Sequence, residues 1–229
     1  ERGVPLAVAH TLPFEPTFAH ALDEVASGAL GAVRLARSSV YASRVFSTRD
    51  ARARADAPGG VLSCAGLDLL LVLDALFGAP AEVRCTASRL YGGHEDEAHA
   101  MMTLASGAEV GLDASWSVPG YPVPAAVIEA EGENGVLLVS DEAFESEWRA
   151  PRAGRPAGHQ LVRDTELPQR AHYDLDGEAR EPMLAAFLAW VAGGTAPVHA
   201  VANAVRAQRT LEALYASSRR GGTPVRVGA

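Results

Sequence analysis

Ala98–Trp116 reads AHAMMTLASGAEVGLDASW, two short runs of alternating side chains joined at Ser106-Gly107. Successive side chains of a strand point to opposite faces, so a period near two marks a half-buried strand, and a Ser-Gly pair between two such runs supplies tight-turn chemistry. The stretch therefore predicts an antiparallel hairpin. Working outward, the same period governs Ala81–Leu90 before it and Ala125–Glu131 and Gly135–Ser140 after it, with Glu133-Asn134-Gly135 as another turn. Consecutive strands with short turns make a meander, and hence one sheet of five or more strands.

Helical patterns flank the meander. Val4–His10 is a short strand-like run, and Pro16 opens a helix over Thr17–Ala26 that stops at Ser27-Gly28, with proline in the first turn and glycine after the end. Leu30–Tyr41 is rich in β-branched and alternating residues and predicts a strand, while Arg44–Pro58 is polar and predicts a surface loop. Gly59–Gly78, GGVLSCAGLDLLLVLDALFG, predicts an apolar helix entered through two glycines. Beyond the meander, Glu142–Arg180 reads as a long polar arm, Glu181–Ala192 and Val201–Arg219 as two helices, and Pro224–Val227 as a last strand returning to the sheet.

This order predicts an α+β fold, an open, mainly antiparallel sheet with helices packed on one face, and residues 1–229 as a single domain. A doubly wound nucleotide-binding fold is not predicted. No GxGxxG follows a strand, and the Gly28-Ala29-Leu30-Gly31 turn follows a helix, the wrong context for a dinucleotide fingerprint.

Composition narrows the function. The formal net charge is -8 and the pI about 5.4, with no basic cluster interleaved with aromatics, which argues against nucleic acid or an anionic membrane as partner. Every basic residue is arginine, so this chain offers no lysine for a Schiff base or a general base. Cys64 and Cys85 form no CxxC, which fits free thiols in a reducing, cytoplasmic setting. No apolar run, Leu69–Leu73 included, approaches the ~20 residues of a membrane span. The chain starts at Glu1 and its first methionine is Met101, so we expect either processing or an upstream domain.

Taken together, five local patterns resemble the glucose-fructose oxidoreductase, inositol dehydrogenase and MocA family of NAD(P)-dependent oxidoreductases. They are Pro13-Phe14-Glu15-Pro16 with the later Ser27–Gly31, the glycine-entered helix ending Leu76-Phe77-Gly78, and the hairpin from Glu95-Asp96 through Ser106-Gly107. Glu131–Gly135 and the closing Phe187–Val227 complete the set. The resemblance implies the C-terminal domain of that family, which forms the substrate side of the active site and the subunit interface. It also implies an N-terminal nucleotide-binding domain outside these residues, of which 1–12 would be the last strand or the linker. NAD or NADP is then the cofactor of the full-length protein, with none bound by this chain alone. The implied partners are a small polyhydroxylated substrate and a second copy of the chain through the open sheet face.

In that family the glycine-entered helix carries DxGxH followed by another Asp, lining the substrate and transferring a proton. Here the corresponding positions read Cys64, Gly66, Asp68 and Leu71. On a helix, residues four apart lie one above the other, so Cys64 and Asp68 are expected to point into the same space. A carboxylate among Leu67, Leu69 and Leu70 is expected to be partly desolvated, which raises its pKa and suits it to acid–base work. Asp68 is thus the candidate proton acceptor, against the alternative of a structural carboxylate holding an amide or arginine. Cys64 is the second candidate, against that of a small buried hydrophobe.

Further candidates each have a plainer alternative. His10, at the end of the first run, is a candidate substrate contact or an ordinary turn histidine. Trp116 and Tyr121 are candidate pocket walls or sheet-packing aromatics. Arg44, with Arg49, Arg52 and Arg54 in the same loop, is a candidate anion clamp or an exposed charge. His94-Glu95-Asp96-Glu97-Ala98-His99 misses the spacing of a zinc helix, and on a strand its two histidines face opposite ways, so a solvated strand entrance is expected and no metal site. Three functions stay open: an oxidoreductase substrate domain, a non-catalytic dimerisation domain, and a cofactor-independent lyase or isomerase using Asp68.

Overall fold

The structure is a computed structural model that describes residues 4–45, 59–91, 93–152, 154–168 and 179–228. Its centre is a nine-stranded sheet, built from β1 (Val33–Tyr41), β2 (Pro80–Ser88), β3 (Glu97–Leu104), β4 (Glu109–Ser115), β5 (Ala125–Gly132), β6 (Gly135–Ser140), β7 (Ala143–Trp148), β8 (Gly158–Arg163) and β9 (Val225–Arg226). The strand order is β8-β7-β6-β5-β1-β4-β3-β2-β9. All neighbours pair antiparallel except β1 and β4, which run parallel with Ser38 opposite Leu112. The helices are α1 (Pro16–Ala26), α2 (Leu67–Phe77), α3 (Arg180–Val191) and α4 (Val201–Arg219).

Alternation decides which face the helices cover. Ala36, Val40, Val83, Cys85, Met102, Val110, Leu112, Ile128, Leu137 and Val139 are buried, while their chain neighbours are less so. The buried side chains meet α1, α2 and α4, and Leu69, Leu71 and Val72 of α2 are fully enclosed. Each such side chain contributes roughly 1.5–3 kcal/mol by leaving water. The fold is therefore the α+β arrangement expected, and among the described residues α1, α2 and α4 pack on one face of the sheet.

Four expectations need correction. Val4–His10 is not a strand of the sheet: it makes an isolated bridge, Ala7 to Ala200, with Val8 N–H donating to His199 O at 3.0 Å. Its alternate residues Val4, Leu6 and Val8 stay exposed, because the segment lies across the start of α4 rather than along a sheet edge. The meander is interrupted, since β1 inserts between β4 and β5, a long-range pairing that no local pattern encodes.

The polar arm holds two strands, β7 and β8, whose exposed faces carry Glu145, Glu147, His159 and Arg163 and so mask the alternation. Arg155 beyond β7 pairs with Glu24 of α1 and ties this hairpin to the helical layer. Residues 169–178, including Tyr173, lie outside the described residues, as do Arg49, Arg52 and Arg54.

Lastly, the glycine-entered helix is not α-helical throughout: Leu62–Gly66 is a π-helical turn leading into α2. A π turn shifts the side chains that follow it relative to an unbroken α-helix, and such turns recur at functional sites.

Candidate functional site

The start of this π–α helix is fixed by Glu95, which lies in the loop before β3 and is buried. Val61 N–H donates to the Glu95 carbonyl at 2.9 Å, Leu62 N–H to its carboxylate at 3.3 Å, and Tyr215 of α4 donates its hydroxyl to the same carboxylate oxygen at 2.6 Å. Burial, reinforced by the Glu95 hydrogen bond and charge, pushes the Tyr215 phenol well above its ordinary range, so it stays a donor. Gly60 runs so close to Glu95 that an added Cβ would collide with the Glu95 carbonyl oxygen and carboxylate. The neighbouring Asp96 is buried too, accepting from Leu90 N–H and Tyr91 N–H at 2.7 Å each. The expected solvated entrance at His94–His99 is thus corrected: two of its carboxylates are structural acceptors inside the molecule. Among the described residues no group of three or more His, Cys, Asp or Glu side chains could hold a metal ion.

Asp68 sits in the first turn of α2 with 35% of its side chain exposed, and its Oδ1 meets His10 Nδ1. The carboxylate is therefore not sunk among its leucine neighbours; it opens to solvent on one side and is backed by an imidazole on the other. His10 is only 6% exposed. Nearby is His199, which precedes α4 and is 2% exposed; its Nδ1 is buried without a hydrogen-bond partner and its ring packs edge-on against Phe14 at 4.9 Å. Burial and then the charge of His10 lower the His199 pKa, which keeps it neutral. Sequence reasoning singled out His10 and Asp68 separately, 58 residues apart, and did not single out His199. The hydrogen bond from Val8 N–H to His199 O ties together the two segments that carry the histidines, and it has no periodic signature.

The other candidates are placed elsewhere. Cys64 lies in the π turn and is exposed, its Sγ 3.9 Å from Gly59 O and from Ser63 Oγ, so the described contacts do not join it to Asp68. Trp116 is a buried core residue rather than a pocket wall, although its Nε1 has no hydrogen-bond partner. Tyr121 packs edge-on against Tyr41, with ring centres 5.8 Å apart, and its backbone N–H donates to Ser43 Oγ at 2.8 Å. Arg44 follows β1, its backbone N–H donating to Trp116 O at 2.9 Å.

The profile of the GFO/IDH/MocA C-terminal domain matches residues 18–138, more than half of the chain. The chain belongs to this family. Its GFO/IDH/MocA fold recurs in an NAD-binding oxidoreductase from Klebsiella pneumoniae, with a TM-score of 0.82 at 17% identity over 99% of this chain and 67% of that one. An oxidoreductase from Agrobacterium radiobacter in complex with NAD+, L-tartaric acid and magnesium gives 0.81 at 19% identity, covering 98% of this chain and 66% of that one. Levoglucosan dehydrogenase in complex with NADH and L-sorbose gives the same values. The chain thus spans just under two thirds of the length of the latter two. No curated protein matches it.

Among its GFO/IDH/MocA relatives of known structure the dinucleotide is the recurring ligand, which raises the question of fit here. The glycine-led helix start at Gly59-Gly60 is where a phosphate would seek backbone N–H groups. Those of Val61 and Leu62 are already bonded to Glu95, whose carboxylate would repel a second anion. That helix start does not fit a dinucleotide phosphate. No described helix is long and apolar enough to cross a membrane.

Proposed function

We propose that this chain is the substrate-binding and oligomerisation portion of an NAD(P)-dependent oxidoreductase acting on a sugar-like or otherwise polyhydroxylated substrate. The observation that carries the reading is the half-open Asp68 carboxylate backed by His10, in the helix where the family's altered DxGxH positions fall. L-sorbose and L-tartaric acid, the compounds bound by two of the similar structures, are both polyhydroxylated, which supports the substrate class. The dinucleotide would sit on a nucleotide-binding portion outside this chain and would accept the hydride. This chain's task is the proton of the alcohol that becomes a carbonyl, and Asp68 is the acceptor. We place the protein in the cytoplasm as a homo-oligomer joined through the open sheet face.

The test is turnover of the full-length polypeptide on a panel of polyols and sugars with NAD+ and with NADP+. Turnover is expected with at least one substrate, and Asp68→Asn should lower kcat by about 100-fold or more, the usual share of a general base. An enzyme that binds neither dinucleotide and turns nothing over, yet assembles, would be a non-catalytic dimerisation module. Turnover without any nucleotide would instead make it a lyase or isomerase.

A further inference from the structure

Asp68 is a partly exposed carboxylate, and the structure does not leave it alone. We propose that His10 is the positioning residue of the site: it donates Nδ1–H to Asp68 Oδ1, holds the carboxylate turned outward, and leaves Oδ2 to take the substrate proton. The proposal rests on the function proposed above and assigns its acid–base unit to two chain segments that the fold brings together.

Three observations carry it. An ionised carboxylate can only accept, so the contact between Nδ1 and Oδ1 fixes which atom holds the hydrogen. The exposures are unequal, 6% for His10 and 35% for the Asp68 side chain, so the carboxylate faces the solvent side and the imidazole stands behind it. The segment carrying His10 is anchored, since Val8 N–H donates to His199 O and Val201 N–H to Leu6 O at 3.0 and 2.9 Å. His10 is thus held by the backbone rather than by its own side chain.

The titratable groups set against His10 are Asp68 from α2 and His199 from the turn before α4. Burial keeps His199 neutral, so it adds no charge beside the pair. In the proton step the substrate O–H bond breaks, its electron pair stays on the substrate oxygen, and a new O–H bond forms at Asp68 Oδ2. That electron pair closes the C=O bond as the hydride leaves carbon, and the oxidised nicotinamide dinucleotide, when bound to the full-length protein, would supply the acceptor.

The experiment compares wild type, His10→Phe and His10→Gln in the full-length enzyme, reading kcat and KM separately. Phenylalanine removes the donor, so kcat should fall by about tenfold or more with KM little changed. Glutamine keeps an N–H donor and should recover most of kcat. An unchanged kcat in His10→Phe, or a loss that glutamine does not recover, would overturn the proposal, because a residue that only fills space gains nothing from a restored donor. A second arm needs no turnover: nitrogen-15 NMR of the histidines in wild type and Asp68→Asn. The His10 Nδ1 resonance should move when the carboxylate is lost, and an unchanged resonance refutes the pair. Absence of turnover in wild type would count against the oxidoreductase reading, while the NMR arm still judges the pair by itself.

Discussion

Cys85 shows what the helical layer does to a single side chain. It lies mid-way along β2 on the covered face, its backbone N–H donating to Ser217 Oγ of α4 at 2.9 Å. Burial, and then the charge of Glu95, push its thiol from the ordinary 9.0 up to about 11. Only the thiolate reacts, so at pH 8 a thiol reagent should modify the exposed Cys64 in the native protein and reach Cys85 only after unfolding. One equivalent of label in buffer and two in denaturant is the expected count; two in buffer would show that α4 does not seal the strand. The same shift has a pH consequence. The unfolded thiol ionises near 9.0 and the folded one near 11, so the unfolded state loses its proton first as pH rises. This contribution to stability is complete below pH 9 and declines between 9 and 11, and Cys85→Ala should flatten that part of a melting-temperature profile.

At the scale of elements, the π–α helix depends on a close approach that no other residue type permits. Gly60 touches Glu95 because it has no Cβ, and Glu95 in turn binds the first N–H groups of the helix and the Tyr215 hydroxyl. Gly60→Ala would force backbone apart from backbone and should destabilise by about 2 kcal/mol or more in a denaturant titration. A loss below about 0.5 kcal/mol, the range of an ordinary surface change, would show that the loop before β3 yields freely. Elements of this kind divide what a sequence reveals from what it hides. The β3–β4 hairpin and α4 are local, with the period and turn residues adjacent in the chain, and both were legible, α4 to the residue. The parallel β1–β4 pairing, the Glu95 cap and the π turn arise from contacts between distant residues, so composition and period carry no trace of them. The site divides likewise: Asp68 and His10 were each visible as odd residues in their surroundings, whereas their meeting is a contact between residues 58 apart in the chain.

For the whole molecule the open face of the sheet is the dominant surface. Arg37 of β1 pairs with Glu131 of β5 at 3.1 Å, and His99 of β3 lies 2.6 Å from Asp113 of β4, so both contacts are made within the chain. Between these pairs run shallow hollows of about 500 and 430 Å3, the first lined by Arg84, Thr86, His99 and Met101, the second by Val136, Leu138 and Glu145 among others. A flat surface suits a second copy of itself, because a two-fold axis sets the same patch on both partners. A stable pairing needs roughly 1,200–2,000 Å2 buried in total, and a face of nine strands offers that area readily. Light scattering of the full-length polypeptide should therefore give twice its sequence mass, with little loss at raised salt because the charge pairs lie within each chain. Met101→Asp placed beside Val136→Asp sets unpaired carboxylates on both hollows and should halve the measured mass while leaving the fold intact, since both side chains are exposed in the single chain. A wild-type mass of one copy, or an assembly indifferent to both substitutions, would move the contact to another surface, such as the exposed apolar residues Leu184, Leu188 and Val191 of α3.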